Sequence, residues 1–210
     1  MRLLVCVLLG LFIQMPPQVF PENRLQSYRQ WVGSPRERVT LQYARNCILG
    51  ALEPQRGILQ KAPGLSSLPR TGVYLSLMRD REVRVCMGSF FPHAVSMADT
   101  IQDLAQRVTF GDTRTRPLFL SEMGDLSLVL SFVGPLQEIT DPYDIDFATQ
   151  GLYLSQEGKG GVLLPGETRT LSYGIQRLRK QLGIDPQMPC RYATFEVVAF
   201  DERSVTRRME

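Results

Sequence analysis

The chain has 210 residues, of which 43% are hydrophobic and 21% charged, so it has enough apolar material for a core and is not a disordered protein. Its length fits one globular domain, or one compact body with two lobes. The net charge of +3 is too mild to indicate a nucleic-acid-binding protein, and no nucleic-acid partner is expected.

The amino terminus, residues 1–22, carries a signal-like segment. Leu3 to Ile13 reads LLVCVLLGLFI after a single basic residue, Arg2, which is typical of the first two parts of a secretory signal. No small-x-small cleavage site follows, so a cleaved signal and an uncleaved anchor are both open. A true start at Met15, which implies a cytoplasmic protein, and a buried amino-terminal strand or helix are the other interpretations. Export or membrane anchoring, outside the cytoplasm, is the favoured prediction.

Four cysteines and one histidine restrict the chemistry of any metal or nucleophile site. Cys6 lies in the signal-like segment, and the other three are Cys47, Cys86 and Cys190. No Cys-x-x-Cys motif and no cluster of cysteine with histidine occurs, so neither a metal site nor a cofactor is predicted. A catalytic triad that uses histidine could only use His93.

Residues 23–37 are interpreted as a polar linker followed by the start of the first helix. Ser34 can cap a helix, the proline after it suits the first helical position, and Glu37 stands where a capping box places its acid. Apolar residues then recur at helical spacing, which predicts an amphipathic helix over residues 35–53.

Alternating residues predict a β-hairpin with strands at 72–78 and 83–87. Strict alternation would place Arg84 and Cys86 together on one face of the second strand. The opposite face would then carry Val83, Val85 and Met87.

The rest of the chain mixes helices and strands without a regular strand–helix–strand rhythm. Helical spacing predicts helices over 94–108 and 168–182, and apolar runs predict strands over 126–133, 151–154, 161–164 and 192–200. This order favours an α+β fold with a largely antiparallel sheet and flanking helices. Residues 202–210 are predicted to form a basic tail.

Several segments, taken together, resemble the AMMECR domain family. The segment Arg84-Val85-Cys86-Met87-Gly88-Ser89 is similar to the family's L-R-G-C-I-G motif. Weaker similarities to family motifs are carried by Arg45, by Asp112 with Arg114 and Pro117, by Glu122 with 126–132, and by the segments 150–152, 164–167 and 178–183. The resemblance implies that residues 38–201 form an AMMECR-like domain, a two-lobed α+β body.

Three positions depart from the family pattern, which is typical of a divergent branch. Val85 stands where the family has glycine, Thr115 stands where it has an aromatic residue, and Gln150 stands where it has histidine. If the family glycine allows a ligand or a backbone to approach closely, Val85 narrows that approach.

The resemblance places the motif segments near a groove between the two lobes, and the first hypothesis is a binding module. Four side chains, Arg84, Asp112, Arg114 and Glu122, would line the groove and hold a small anionic ligand or a protein segment through arginine forks. Bacterial relatives are often encoded with a Memo-type protein and a radical-SAM protein, which implies a partner from such a pathway.

The second hypothesis is a cysteine-dependent enzyme. Cys86 would be the nucleophile, and Arg84 or Arg114 would favour its thiolate. Glu122 or His93 would act as the base.

Overall fold

The computed structural model describes residues 7–8, 24–56, 64–80, 82–92, 94–110, 116–185 and 187–207. The helices in this part of the chain are α1 (Arg24–Arg29), α2 (Pro35–Leu52), α3 (Met97–Phe110), α4 (Leu171–Leu182) and α5 (Glu202–Arg207). The strands in it are β1 (Val7–Leu8), β2 (Gly72–Arg79), β3 (Glu82–Ser89), β4 (Ser127–Val133), β5 (Gln137–Ile139), β6 (Gln150–Gln156), β7 (Lys159–Leu163) and β8 (Arg191–Asp201).

The strands form one antiparallel sheet in the order β1-β7-β6-β8-β4-β2-β3, with β5 also paired to β8. The long strand β8 pairs with β6 over its first part and with β4 over its last part, so it belongs to both halves of the sheet. The predicted α+β class with a largely antiparallel sheet is therefore confirmed.

The buried apolar residues form three clusters. The helix-side core lies between α2, α3 and one face of β2, β3 and β4, and it includes Leu77, Val85, Ile101, Met123 and Phe132. The interlobe core covers the opposite face of the same strands with residues from β7 and β8, and it includes Tyr74, Val83, Cys86, Val162 and Phe195. A third cluster packs α4 against β6 and β7. The motif hairpin β2–β3 thus lies between two packed layers.

Capping residues define the helix ends that the sequence predicts. The Ser34 hydroxyl accepts a hydrogen bond from the Arg36 N–H at 3.2 Å, and α2 begins at the next residue, Pro35. The Glu37 carboxylate is buried and accepts from the Gly33 N–H at 2.6 Å, one residue before the position that a standard capping box uses. Gly183 ends α4 in a left-handed conformation with φ 61°.

Two segments that were interpreted as linker and tail are helical. Within the predicted linker, residues 24–29 form α1, because Leu25 and Tyr28 are buried in the helix-side core. In the predicted tail, residues 202–207 form α5, because Glu202 at its first position binds the guanidinium of Arg45. Short polar segments of this kind carry little periodicity, and tertiary contacts decide their structure.

The signal-like segment is described only at Val7–Leu8, which pair with Gly161 and Gly160 of β7. The rest of residues 1–22 lies outside the described residues. Among the described helices, none is both long and apolar enough to cross a membrane.

Candidate functional site

A β-bulge in the motif hairpin decides where its side chains point. The register pairs Leu77 with Val85 and Met78 with Val83, so Arg84 is an extra residue without a partner in β2. The alternation of side chains before Arg84 is therefore out of step with the alternation after it.

Because of this shift, Val83 and Val85 lie on opposite faces of the hairpin. Val83 packs in the interlobe core together with Cys86, whereas Val85 and Met87 pack on the helix-side core. The prediction that Val83, Val85 and Met87 share one face is therefore wrong. The physical reason is the bulge, which a strict two-residue period does not include.

Arg84 binds Glu122, and the structure thus brings together two of the predicted site residues. The Arg84 Nε lies 2.9 Å from Glu122 Oε1 and its Nη2 lies 3.1 Å from Oε2, a two-pronged pair. The same Nη2 also donates to the carbonyl oxygens of Pro117 and Arg116 at 3.2 and 3.3 Å. The Arg84 side chain is only 13% exposed, so these bonds hold its guanidinium in one position.

Glu122 is located on the helix-side face of the hairpin. Its neighbour Met123 belongs to the helix-side core. Arg79, which follows the interlobe residue Met78 in β2, also approaches Glu122 Oε1, with its Nη2 at 3.7 Å. Arg84 therefore points away from Cys86, and the predicted common face of the arginine and the thiol is wrong.

Two more arginines approach the same carboxylate. Arg116 Nη2 lies 3.1 Å from Glu122 Oε1, and the Phe119 N–H donates to Oε2 at 3.1 Å from the start of the 3₁₀ turn Leu120–Glu122. With Arg79 and Arg84, three guanidinium groups surround one carboxylate, a set that we call the arginine–glutamate cluster. Arg79, the last residue of β2, and Arg116 were not predicted as site residues, although each belongs to a charged segment in which an ion-pair partner could have been sought.

The electrostatics of the cluster keep Glu122 ionised. The hydrogen bonds from Arg84 lower the pKa of this carboxyl to about 2, and they outweigh the effect of burial, which raises it. The bond from Phe119 and the charge of Arg116 act in the same direction as those hydrogen bonds. A carboxylate with so low a pKa is a weak proton acceptor near neutral pH, and its position suits the orientation of arginines better than base catalysis.

Cys86 occupies a different environment from the one that a nucleophile requires. It is fully buried in the interlobe core, and its sulfur is disulfide-bonded. Its register partner in β2 is Ser76, whose hydroxyl lies 3.2 Å from the Cys86 sulfur. A sulfur in a disulfide has no thiolate to attack a substrate. This geometry separates Cys86 from both Arg84 and Glu122.

Glu167 is a buried acid beside Ser76 and Cys86, and it was not predicted as a site residue. Its carboxylate accepts from the Leu164 N–H at 3.1 Å and lies 3.5 Å from the Ser76 hydroxyl. Burial raises its pKa to about 7, while the Leu164 bond and the charge of Arg177 oppose this rise. Glu167 thus titrates near neutral pH inside the interlobe core.

Gly88 of the motif is required by a close contact with Tyr74. A Cβ atom at Gly88 would lie 2.3 Å from Tyr74 Cδ1 and 2.6 Å from its Cα, so the ring and the strand leave no space for a side chain. The Tyr74 ring is completely buried, and its hydroxyl has no hydrogen-bond partner among the described residues. The glycine therefore serves the packing of β2 on β3.

We expect Gly88→Ala to lower the free energy of unfolding by about 2 kcal/mol, because the extra methyl group overpacks a buried strand pair. Chemical denaturation measures the effect. Gly124→Ala is the matched control, because a Cβ there meets no atom within 4 Å. Equal stability of the two variants would contradict the proposed packing role.

Three residues of the two hypotheses lie outside the described residues: Asp112, Arg114 and His93. Their assignment to a groove or to base catalysis stays a prediction. Among the described residues, no group of three or more histidine, cysteine, aspartate or glutamate side chains could hold a metal ion.

The model of the AMMECR1 family matches residues 41–204. The chain belongs to the AMMECR1 family. This confirms the resemblance on which residues 38–201 were assigned to one domain.

Two individual proteins are similar to this AMMECR1 chain. A Thermotoga maritima protein is 26% identical over 116 residues, which are 55% of this chain and 64% of that protein, slightly less than two thirds of its length. The crystal structure of an uncharacterized protein from Pyrococcus horikoshii superposes on this chain with a TM-score of 0.61 and 20% sequence identity. The superposed region covers 78% of this chain and 89% of the Pyrococcus horikoshii chain. At this identity the second likeness shows the fold alone.

Other positions that resemble the AMMECR family have structural contacts in this chain. The Arg45 guanidinium binds Glu202 and the carbonyl oxygens of Met123 and Leu126, at 3.1 and 2.7 Å. It therefore joins α2 and α5 to the segment that carries Glu122. Gly151 packs against the Phe195 ring, where a Cβ atom would come within 2.2 Å. These contacts support the fold around the cluster and do not by themselves indicate a reaction.

Proposed function

We propose that this AMMECR1 domain is a binding module, and that its arginine–glutamate cluster docks an acidic segment of a partner protein. The observation that carries the proposal is the approach of three guanidinium groups to one carboxylate. The cluster by itself therefore carries three positive charges and the single negative charge of Glu122, and Glu82 is the exposed acid opposite Arg79 in the hairpin register.

Two of the three arginines of the cluster are accessible to solvent. The side chains of Arg79 and Arg116 are 49% and 66% exposed, whereas Arg84 is held below them. A guanidinium has five N–H donors. Because three guanidinium groups share one carboxylate, some N–H donors of the two exposed arginines, Arg79 and Arg116, are directed to solvent. Carboxylates of a partner can accept from these donors in bidentate geometry.

Exposed apolar side chains beside the cluster favour a protein segment over a small anion. Phe119 and Leu120 are both exposed, and the guanidinium carbon of Arg116 lies 5.9 Å from the centroid of the Phe119 ring. Aromatic and arginine side chains that stand together are characteristic of the contact residues in protein interfaces. A segment that alternates acidic and apolar residues complements this surface.

Several finer expectations accompany the proposal. A small anionic ligand is the second candidate for the same surface, because it would use the same arginine donors. A Memo-type or radical-SAM pathway protein as the partner, and export from the cytoplasm, stay predictions. The cysteine-dependent enzyme is not carried forward, because the Cys86 sulfur is buried in a disulfide.

The test uses a fluorescein-labelled EEFEEL peptide and measures its anisotropy at low ionic strength. We expect binding that weakens with added salt, and we expect Arg79→Glu/Arg116→Glu to weaken it by about tenfold or more, because attraction becomes repulsion. The control variant is Arg169→Glu/Arg191→Glu, an equal charge change at two exposed arginines of the other lobe.

Each outcome of this experiment bears on the proposal. Loss of binding only in the Arg79/Arg116 variant supports it. Equal loss in both variants indicates a net-charge effect and contradicts it, as does the absence of binding to the wild-type protein. Displacement of the peptide by inorganic phosphate at constant ionic strength would favour the small-anion candidate instead.

A further inference from the structure

Strand β8 has an open backbone edge where its neighbour β6 ends. The β6–β8 ladder runs as far as the pair Gln150–Glu196, whereas β8 continues to Asp201. Over this last part β8 pairs on one side with β4, and no strand in the described part of the chain occupies the other side. Val197 still bonds to Thr149, so the open part is residues 198–201, roughly 14 Å of strand edge at about 3.4 Å per residue.

Two hydrogen bonds show which backbone groups face this edge. The Gly134 N–H donates to the Glu196 carbonyl on the β4 side at 2.9 Å, and the Val197 N–H donates to the Thr149 carbonyl on the opposite side at 2.9 Å. Successive residues of a strand direct their backbone groups to opposite neighbours. Val197, Ala199 and Asp201 therefore direct their backbone groups to this side. The Val197 N–H is bonded to Thr149, so the open groups begin with the Val197 carbonyl and the N–H and C=O of Ala199.

The existing ladder stops at Thr149. Its own N–H donates to the Asp146 carbonyl at 3.0 Å, so the chain turns away from β8 at this residue. Ala199, two residues further along β8, is exposed. On the side of β8 opposite β4, its backbone makes no hydrogen bond to any described residue. An open edge of this kind is a template for another strand.

A cleft of about 500 Å³ lies along the open edge. It is lined by the end of α1 and the turn after it, by the residues that start β6, and by β8 itself: Arg29, Val32, Thr149, Gln150, and 196–199. The cleft continues the line of β6 beyond its first residue. A strand placed in the cleft would thus extend β6 and pair with the open edge of β8.

We propose that this cleft binds an extended segment of a partner protein, which adds a strand to β8 at residues 198–201. This β-strand addition is a site separate from the arginine–glutamate cluster and goes beyond the proposed function. Its affinity would come from main-chain hydrogen bonds to the Val197 carbonyl, to the N–H and C=O of Ala199 and to the Asp201 N–H, since the Val197 N–H is already bonded to Thr149. Its specificity would come from the side chains that line the cleft.

The lining indicates an uncharged, apolar side chain at the centre of the segment. Arg29 and Glu196 form an ion pair of 2.8 Å across the cleft, so their charges neutralise each other. Val32 is 44% exposed at the same wall, and an apolar side chain would cover it. Alternate residues of an added strand would point towards this wall, and the residues between them would point to the other face.

The experiment is a selection of random seven-residue peptides, displayed on phage, on the full-length protein, with Ala199→Pro as counter-selection. Proline removes the outward N–H of Ala199 and its ring obstructs an added strand, while the β4 side of β8 keeps its hydrogen bonds. Ala199→Val is the matched control, because valine retains the N–H and suits a strand. Thermal unfolding of both variants reports whether they remain folded.

We expect peptides with an alternating apolar pattern that bind the wild type and Ala199→Val, with affinity at least tenfold weaker for Ala199→Pro. Hydrogen exchange provides a second measurement on the wild type, which does not depend on the folding of a variant. The Ala199 amide should exchange faster than that of Val198 in the free protein and should slow at least tenfold when a selected peptide is bound.

Three outcomes would overturn the inference: no enriched peptide, equal binding to the proline variant when it is folded, or an Ala199 amide that is already protected in the free protein. A dimer that is lost in Ala199→Pro would show that a second copy of this chain occupies the edge. Because neither site shares residues with the other, failure here leaves the arginine–glutamate proposal unaffected, and the reverse also holds.

Discussion

Replacing Glu122 with alanine is expected to lower the free energy of unfolding by about 3 to 4 kcal/mol, because it leaves the little-exposed guanidinium of Arg84 without its carboxylate partner. The Glu122 side chain is 8% exposed and also accepts the Phe119 N–H, so the substitution removes a backbone bond as well. Urea unfolding at pH 7 measures the loss. The control is Glu138→Ala, which removes an exposed 3.6 Å ion pair with Arg191 and should cost less than about 1 kcal/mol.

The stability that Glu122 provides should disappear in acid. Its pKa is lowered in the folded protein to about 2, compared with 4.5 for an ordinary glutamate, so the stabilisation is complete above pH 4.5 and is lost as the pH falls towards 2. The difference between wild type and Glu122→Ala should therefore shrink between these pH values. A difference that is the same at pH 7 and at pH 2.5 would contradict the ion-pair assignment.

Glu167→Gln is expected to stabilise the protein at alkaline pH, by about 3 kcal/mol at pH 8. Burial raises the pKa of Glu167 to about 7, above the ordinary value of 4.5, so ionisation of this acid opposes folding. Its favourable contribution is complete below pH 4.5 and is lost as the pH rises through 7. Glutamine retains an oxygen that can accept the Leu164 N–H, and it has no charge to bury.

The check is the pH dependence of unfolding from pH 4.5 to 9 for wild type, Glu167→Gln and the exposed control Glu138→Gln. Below pH 4.5 the Glu167 variant should match the wild type within about 1 kcal/mol, and the two curves should separate as the pH rises. Parallel curves across the whole range would show that Glu167 is already charged, or already accessible to water, in the folded protein. The pH trends of Glu122 and Glu167 have opposite signs, so one series distinguishes them.

Local chemistry predicted the longer helices and strands of this fold, whereas the short elements α1, β5 and α5 were not predicted. Ser34 and the proline after it mark the start of α2, and Gly183 marks the end of α4, because caps act within one turn of a helix. Alternation predicted the hairpin that carries the AMMECR1 motif, and the mixture of helices and strands predicted the α+β class. In each case the determining interaction joins residues only a few positions apart.

The candidate site was predicted only in part, because its geometry depends on contacts between distant residues. The hairpin pattern and the family resemblance predicted Arg84 and Glu122 as candidate site residues, and the structure brings these two together, but the prediction also placed Cys86 beside them. The bulge at Arg84 arises from the register of β3 on β2, and it turns the arginine to the helix side and leaves the sulfur in the interlobe core. No local pattern of β3 contains that information, since the partner strand decides it.

The sequence by itself determined the caps, the periodicity, the hairpin and the family, since these depend on neighbouring residues and on motif order. Only the tertiary structure decided that three arginines share Glu122, that Glu167 is buried as a titratable acid, and that β8 extends past β6 with an open edge. The physical reason is that ion pairing, desolvation and strand pairing depend on which distant segments the fold brings into contact.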